Sequence, residues 1–316
     1  MEAIILVGGL GTRLRPLTKT IPKPLLPLGN IPMVERMILN LPKRIDTVIL
    51  AVNYGVEQML EYFKQTNVGR KVIIVPENEP LGTGGAMKNC EKYITGTTAV
   101  FNGDVVSSLD LEEMIEYHNS KKAKGTLALW EVKNPNRFGV VKLVNGEILE
   151  FQEKPPKGEE LSNLINAGTY LLEPEIINMI PENKKISIER DIYPKIVGNG
   201  LFGMPFEGHF IDAGTPESYL EANFKLLKAN NDEENNNIKD NVQIHETSEI
   251  VDSIIGPNVI VGPDIFIEKS MISNSVILSD SKIYGATISN SIIGPKISLK
   301  KDVESTLIAP EGEKVF

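Results

Sequence analysis

Aliphatic residues recur at intervals of five or six positions along the C-terminal quarter of this chain of 316 residues. They are Ile244, Ile250, Ile255, Val261, Ile267, Ile272, Ile277, Ile283, Ile288, Ile293 and Leu299. A β-sandwich would show alternation over longer strands. This period is typical of a β-helix of hexapeptide repeats, in which each rung buries one aliphatic side chain and then turns a corner. We therefore predict a β-helix domain over residues 242–316.

Residues 1–229 show a different pattern, in which short apolar runs alternate with amphipathic stretches. Such alternation predicts an α/β domain, Rossmann-like, with a mixed, mainly parallel sheet and helices on both faces. Asn145-Gly146 lies between two strand-like runs and predicts a β-hairpin, and therefore an antiparallel insertion. The asparagine-rich stretch 230–241 has no apolar period and is predicted to be a linker between the two domains.

A glycine-rich, basic loop follows the first predicted strand. It contains, in order, Gly8, Gly9, Gly11, Arg13, Arg15, Lys19 and Lys23. Glycines let backbone N–H groups approach an anion closely, and open α/β sheets bind ligands at the carboxyl ends of their strands. The loop lacks the Gly-Lys-Ser/Thr of a P-loop, and Leu14 stands where a dinucleotide fingerprint needs glycine. These features predict a polyphosphate-binding loop of another kind.

The overall composition limits the partners and the compartment. A formal net charge of -9 argues against a nucleic acid or an anionic membrane as partner, so the basic loop is a local feature. The single cysteine, Cys90, excludes internal disulfides and fits a reducing cytosol, and we expect it to be buried on a helix. The N-terminal apolar run is too short for a signal peptide or a membrane span. We expect a soluble cytoplasmic protein.

Two aspartates are candidate metal ligands. Asp104 follows the predicted strand Ala99–Phe101, and Asp212 precedes a predicted helix, where it could also be a capping residue. Because Mg²⁺ is commonly bound by one or two carboxylates together with substrate phosphates, the pair beside a polyphosphate loop predicts a Mg²⁺ site.

The string from Gly8 to Pro27, GGLGTRLRPLTKTIPKPLLP, resembles the signature of the sugar-1-phosphate nucleotidylyltransferases. The resemblance implies that Arg13 and Lys23 are catalytic, that Asp104 and Asp212 hold the metal, and that the β-helix is left-handed. It also implies a set of nucleotide contacts, from Val7, Gly8, Gly9, Gly11, Thr12, Glu77, Gly82 and Thr83.

Further along the chain, other stretches resemble the sugar-binding motifs of the same family. Glu153-Lys154-Pro155 resembles the motif whose lysine holds the sugar phosphate and whose glutamate holds sugar hydroxyls. Gly139 and Asn166 lie in stretches that resemble sugar-contacting segments. The implied reaction is in-line displacement at the α-phosphate of a nucleoside triphosphate, with the sugar phosphate as a nucleophile that needs no general base.

The base is predicted from Glu77, which opens the loop ahead of Gly82 and Thr83. Guanine presents two adjacent donors, N1–H and N2–H₂, which a carboxylate can accept together, whereas uracil and thymine suit an amide. We therefore predict GTP as the nucleotide, and the resemblance to the guanylyl type of the family implies mannose 1-phosphate as the sugar substrate. Glu79 lies nearby and could accept the same bonds.

Three other functions stay open from the sequence. The chain could be a glucose-1-phosphate thymidylyl- or uridylyltransferase. It could be a non-catalytic regulatory subunit, although such a protein should have lost one of the residues named above. The β-helix could be an acyltransferase, but such an enzyme usually needs a histidine as base, and His245 stands at the very start of the repeats. We therefore expect the β-helix to assemble a homo-oligomer instead.

Overall fold

The computed structural model describes residues 1–234 and 241–316. The chain forms two compact units, one made of Met1–Gly9 with Met37–Phe210 and the other of Leu10–Arg36 with Ile211–Phe316. This division differs from the one predicted at residues 229 and 242. The basic segment (residues 10–36) and the residues after Phe210 group with the C-terminal repeats.

The first unit contains a nine-stranded mixed sheet. Its strands are β1 (Glu2–Leu6), β2 (Thr47–Val52), β3 (Lys71–Pro76), β4 (Thr98–Asn102), β5 (Gly125–Glu131), β6 (Gly139–Val144), β7 (Glu147–Glu153), β8 (Leu164–Leu172) and β9 (Leu201–Pro205). Their spatial order is β3-β2-β1-β4-β8-β5-β9-β7-β6. The first four strands are parallel, as predicted. β8 runs antiparallel to both of its neighbours, so the antiparallel share is larger than predicted.

The helices of this unit lie mostly where the amphipathic stretches predict them. They are Val56–Gln65, Gly82–Asn89, Leu111–Lys121, Pro174–Asn178, a π-helical turn Ile188–Ile192, and Tyr193–Ile196, with 3-10 turns at Glu91–Tyr93 and Pro135–Arg137. The core between sheet and helices includes the fully buried Ile4, Ile49, Val100 and Tyr170. The chain passes between the units after Gly9, within the helix Met33–Leu39 and within the strand Phe210–Asp212.

The second unit contains short strands that form three sheets. They are β10 (Val242–Ile244), β11 (Glu249–Val251), β12 (Ile254–Ile255), β13 (Val259–Val261), β14 (Phe266–Glu268), β15 (Met271–Ser273), β16 (Ser275–Ile277), β17 (Lys282–Tyr284), β18 (Thr287–Ser289), β19 (Ile292–Ile293), β20 (Ser298–Leu299), β21 (Val303–Glu304), β22 (Thr306–Ala309) and β23 (Gly312–Val315). From β10 to β19, each strand pairs in parallel with the third strand after it, while β22 and β23 form an antiparallel hairpin.

The predicted aliphatic period sets the register of these sheets. Ile250 pairs with Ile267, Ile267 with Ile283, and Ile283 with Leu299, and the other two sheets carry equivalent ladders. Every predicted aliphatic position from Val261 onward is at most 4% exposed. The sequence period therefore predicts the pairing, and from Val261 onward the core, correctly, whereas Ile244 in the first strand of the repeats is 44% exposed.

The rest of the second unit holds the basic segment against one long helix. The segment forms three one-turn 3-10 helices, Thr12–Leu14, Leu17–Lys19 and Lys23–Leu25, and the short strands Pro27–Leu28 and Ile31–Pro32. The helix spans Pro216–Glu234, so it includes the start of the predicted linker, and residues 235–240 of that linker lie outside the described residues. Within the described ranges, no helix is both long and apolar enough to cross a membrane.

Candidate nucleotide and sugar-phosphate sites

Four adjacent parallel strands of the first unit, β1 to β4, end at one edge of the sheet, and predicted nucleotide-binding residues follow β1 and β3. A Cβ added to Gly8 would lie 3.7 Å from Glu77 Oε1, and one added to Gly103 would lie 2.5 Å from Val7 Cγ1. The fold thus brings Val7, Gly8 and Glu77 to one edge, with Asp104 next in the chain after Gly103. This is the edge at which open α/β sheets bind ligands.

Glu77 is a buried carboxylate, 9% exposed. Its Oε2 accepts a hydrogen bond from the backbone N–H of Leu81 at 3.1 Å. Burial raises the pKa of Glu77, and the bond from Leu81 opposes that shift. Cys90 is also buried, as predicted, and burial together with the charge of Glu77 raises its pKa to about 12. Cys90 is therefore a thiol at neutral pH, not a reactive thiolate.

The glycines after Glu77 pack closely on a distant stretch of backbone, and their predicted contact with the nucleotide stays a prediction. A Cβ on Gly82 would lie 2.6 Å from the carbonyl oxygen of Ile186, and one on Gly85 would lie 2.6 Å from that of Lys184. The N–H of Gly84 donates to the Ile186 carbonyl at 2.9 Å. These glycines allow the start of the helix Gly82–Asn89 to pack directly on the backbone of residues 184–186.

The β6–β7 hairpin places the predicted sugar-binding residues opposite each other. Glu153 is in register with Gly139, and a Cβ on Gly139 would lie 3.0 Å from Glu153 Oε2. Lys154 has a φ of 51°, in the left-handed region that non-glycine residues rarely adopt, and its Nζ lies 3.5 Å from Glu153 Oε1. The Lys154 side chain is 58% exposed and that of Glu153 is 16% exposed, so the cation is open to an incoming anion.

Asn166 lies at a bulge in β8, where the register with β5 shifts between Asn166 and Tyr170. Its Nδ2 donates to the Tyr170 hydroxyl at 3.0 Å, and its Oδ1 accepts from the N–H of Gly168 at 3.1 Å. Gly168 has a φ of 71°, and a Cβ there would lie 2.5 Å from Asn102 Nδ2. The bulge therefore brings Asn166 to the strand end that precedes Asp104, as bulges near functional sites often redirect a side chain.

Glu189 also lies in this region, although it is not among the predicted site residues. It lies in the π-helical turn, and its Oε2 accepts hydrogen bonds from the hydroxyls of Thr83 at 2.7 Å and Ser187 at 2.6 Å. Burial raises the pKa of Glu153, and the negative charge of Glu189 raises it further, against the lowering effects of Lys154 and Arg190. In the sequence, an acidic residue just after Ser187 indicates only a helix N-terminus, so no local signal marks Glu189.

In the second unit, Gly11 and Lys23 pack together in the basic segment. Gly11 has a φ of 60°, and the hydroxyl of Thr18 donates to its carbonyl at 2.8 Å. A Cβ on Gly11 would lie 2.8 Å from Thr18 Cγ2 and 3.2 Å from Lys23 Cβ. Only glycine fits this conformation and this space, which explains its place ahead of the turn that begins at Thr12.

Arg13 and Asp212, both in the second unit, form an ion pair with Arg13 Nη2 3.4 Å from Asp212 Oδ2. Asp212 Oδ1 is enclosed and has no hydrogen-bond partner among the described residues. An enclosed carboxylate oxygen without a donor fits a cation, so Asp212 fits the predicted role of metal ligand.

Asp104 belongs to the first unit and Asp212 to the second, so a metal shared by both stays a prediction. No group of three or more metal-ligating side chains occurs in the part of the chain that the structure describes. Mg²⁺ does not require such a group, because substrate phosphates and water commonly complete its coordination.

A family model described as nucleotidyl transferase matches residues 2–229. The chain belongs to the nucleotidyl transferase family. A second model, described as GMPPB C-terminal domain, matches residues 238–315. These matches confirm the family that the Gly8–Pro27 signature predicts.

Curated relatives and a solved structure support this nucleotidyl transferase assignment. Mannose-1-phosphate guanylyltransferase 1 of Arabidopsis thaliana is 36% identical over 93% of this chain and 86% of its own length. The mannose-1-phosphate guanylyltransferase of Mycobacterium tuberculosis is 35% identical over 72% of this chain and 65% of its own length. The crystal structure of HddC from Yersinia pseudotuberculosis complexed with GMP-PN is 34% identical, with a TM-score of 0.60 over 71% of this chain and 99% of that chain.

Proposed function

We propose that this nucleotidyl transferase transfers GMP from GTP to mannose 1-phosphate, which forms GDP-mannose and releases pyrophosphate. The observation that carries the choice of base is the buried carboxylate of Glu77 at the sheet edge beside Gly8. The choice of sugar rests on the relatives, whose names specify mannose 1-phosphate.

Glu77 suits guanine because of its hydrogen-bonding capacity. Its Oε2 already accepts the Leu81 N–H, and each carboxylate oxygen can accept more than one bond. Guanine N1–H and N2–H₂ would therefore find two charged acceptors side by side. The GMP-PN complex of the Yersinia pseudotuberculosis protein is consistent with a guanine nucleotide in this fold.

The basic segment and the sheet edge supply the proposed nucleotide contacts. The loop after β1 would contact the nucleotide together with the start of the helix Gly82–Asn89, and the residues concerned are Val7, Gly8, Gly9, Gly11, Thr12, Gly82 and Thr83. Arg13 and Lys23 would offset the charge that develops on the α-phosphate.

Lys154 and Glu153 are proposed to act on the other substrate. The exposed ammonium of Lys154 would hold the phosphate of mannose 1-phosphate, and Glu153, Gly139 and Asn166 would contact the sugar. A sugar phosphate oxygen is already a nucleophile at neutral pH, so positioning and charge stabilisation lower the barrier without a general base. Asp104 and Asp212 would hold a Mg²⁺ ion, which would neutralise charge on the triphosphate.

We further propose that the C-terminal sheets form a left-handed β-helix that assembles a homo-oligomer of a cytoplasmic enzyme. Strand repeats of 16 or 17 residues, such as Ile250 to Ile267 to Ile283, support a three-sided coil. Polar corners support it as well, because Asn241, Asn258 and Asn274 bond side chain to side chain at 3.2 and 2.9 Å.

Pyrophosphate release over a grid of nucleoside triphosphates and sugar 1-phosphates tests this proposal. We expect GTP with mannose 1-phosphate to give the highest kcat/KM. A preference for dTTP or UTP with glucose 1-phosphate would instead support the thymidylyl- or uridylyltransferase alternative. Binding of nucleotide sugars without any turnover would support a regulatory subunit.

A further inference from the structure

The last hairpin of the chain contacts the segment that carries Arg13. Lys314 Nζ donates a hydrogen bond to the backbone carbonyl of Arg13 at 3.1 Å, although the two residues are 301 positions apart. Both residues belong to the second unit. The contact therefore joins the C-terminal end of the proposed β-helix to the proposed catalytic arginine.

The register of the hairpin explains why Lys314, and not its neighbour, makes this contact. In the β22–β23 pairing Lys314 lies opposite Leu307, and Glu313 lies opposite Ile308. Successive side chains of a strand point to opposite faces, so Lys314 and Glu313 face different ways. Glu313 binds Lys301 at 2.8 Å on its own face, and Lys314 reaches the basic segment on the other.

Arg13 needs such support because its own turn is minimal. The 3-10 helix Thr12–Leu14 is one turn long, closed by Leu14 N–H to Gly11 at 2.9 Å and by Arg15 N–H to Thr12 at 3.3 Å. The Arg13 side chain is 47% exposed, so packing restrains it only partly. The charge-assisted bond from the Lys314 ammonium to the Arg13 carbonyl fixes the peptide from which the guanidinium extends.

The other end of the basic segment is anchored separately. The buried Asn223 accepts the N–H of Gly29 at 2.8 Å, and the Tyr219 hydroxyl donates to the Pro27 carbonyl. These bonds hold residues 27–29 on the helix Pro216–Glu234. The early part of the segment is held by the Thr18 bond to Gly11, by the Arg13–Asp212 ion pair and by the contact from the hairpin, which alone of the three bonds the Arg13 carbonyl.

We infer that Lys314 is a positioning residue, through which the terminal hairpin holds Arg13 for the triphosphate. The ammonium also adds positive potential beside the loop, which favours a polyanionic ligand. This inference deepens the proposed function and rests on it for the identity of the ligand. The effect of Lys314 on the loop can be measured without any substrate.

The first measurement is amide hydrogen exchange of the full-length apo protein over residues 10–19. In Lys314→Ala these amides should exchange about three- to tenfold faster than in wild type, because one bond of roughly 1 kcal/mol is lost. Lys301→Ala is the matched control, since it removes one positive charge and an ion pair to Glu313 of the hairpin, without touching Arg13. Lys314→Arg, which keeps a charged donor, should restore most of the protection. Equal exchange in the Lys314→Ala and Lys301→Ala proteins would overturn the inference.

The second measurement is steady-state kinetics with whichever of GTP, ATP, UTP and dTTP the wild type uses fastest. Lys314→Ala should raise KM for the triphosphate about three- to tenfold, with KM for the sugar phosphate unchanged within twofold. A faster-exchanging loop with an unchanged triphosphate KM would overturn the link to substrate binding. A wild type that turns over none of these triphosphates would reject the proposed function, and the exchange data would still decide whether Lys314 holds the loop.

Discussion

The carboxylate at position 77 is the single side chain on which the proposed base preference depends. Glu77→Gln keeps the shape of the residue and replaces one charged acceptor by an amide donor. We expect kcat/KM for GTP to fall about ten- to hundredfold, the effect of a mismatch of about 1–3 kcal/mol in a buried site, and kcat/KM for UTP to rise relative to it. Glu79→Gln is the control. A larger fall of kcat/KM for GTP in Glu79→Gln than in Glu77→Gln would indicate that Glu79, and not Glu77, contacts the base.

Glu189 gives a prediction in pH. Its negative charge raises the pKa of Glu153, so Glu189→Gln should lower that pKa. If the ionised form of Glu153 binds the sugar hydroxyls, the acid limb of kcat/KM for the sugar phosphate should move to lower pH. The acid limb is where this change appears, because only below the Glu153 pKa does the carboxylate become neutral.

Glu150→Gln is a suitable control for this pH profile. Glu150 lies on the same strand as Glu153 but binds Lys142 at 2.6 Å on the exposed face. The Glu150→Gln variant should therefore leave the acid limb of kcat/KM at the wild-type pH. An acid limb that moves equally in both variants, or in neither, would contradict the assigned role of Glu189.

The aspartates give a prediction on metal dependence. Removal of divalent cations with EDTA should abolish turnover, and Mg²⁺ should restore it. Asp212→Asn should cost several kcal/mol of transition-state stabilisation and raise the Mg²⁺ concentration needed for half-maximal rate. Activity that persists in EDTA would reject the metal site at Asp104 and Asp212.

At the scale of elements, the glycines of the helix Gly82–Asn89 should matter for stability. Gly85→Ala would place a Cβ 2.6 Å from the Lys184 carbonyl, so we expect a loss of about 1–3 kcal/mol in the free energy of unfolding. In Gly96→Ala the added Cβ would meet no atom within 4 Å among the described residues, so the change should stay within about 0.5 kcal/mol. Urea denaturation measures both, and equal losses would contradict the packing explanation.

Elements whose ends depend on local chemistry were predictable from the sequence. Asp110 caps its helix by accepting the N–H of Glu112 at 2.9 Å, and Asn145-Gly146 turns its hairpin with φ values of 50° and 86°. The bulge at Asn166 and the π-helical turn at Glu189 were not predictable. Both depend on packing against strands and loops far away in the chain, and the residues around Asn166 and Glu189 do not indicate that packing.

At the scale of the whole molecule, the repeat period predicted the C-terminal sheets, and the signature predicted the family. The grouping of the basic segment with those sheets was not predictable. It rests on contacts such as Lys314 to Arg13, between residues 301 positions apart, and a single sequence contains no signal for such a pair.

This grouping changes what removal of the C-terminal sheets should do. A protein that ends at residue 229 would lack the Lys314 contact to Arg13. We expect it to lose triphosphate affinity as well as the proposed oligomeric state, as measured by kinetics and light scattering. A truncated protein with wild-type triphosphate KM would contradict this role, whatever its mass in solution.

The central claim, guanylyl transfer to mannose 1-phosphate, is tested most directly by a one-pot competition. Wild-type enzyme with Mg²⁺ is given equal concentrations of GTP, UTP and dTTP together with equal mannose 1-phosphate and glucose 1-phosphate, and early products are identified by mass spectrometry. We expect GDP-mannose to be the dominant nucleotide sugar, with pyrophosphate in equal amount. A dominant UDP- or dTDP-sugar would contradict the assigned base, and the absence of any nucleotide sugar would contradict catalysis itself.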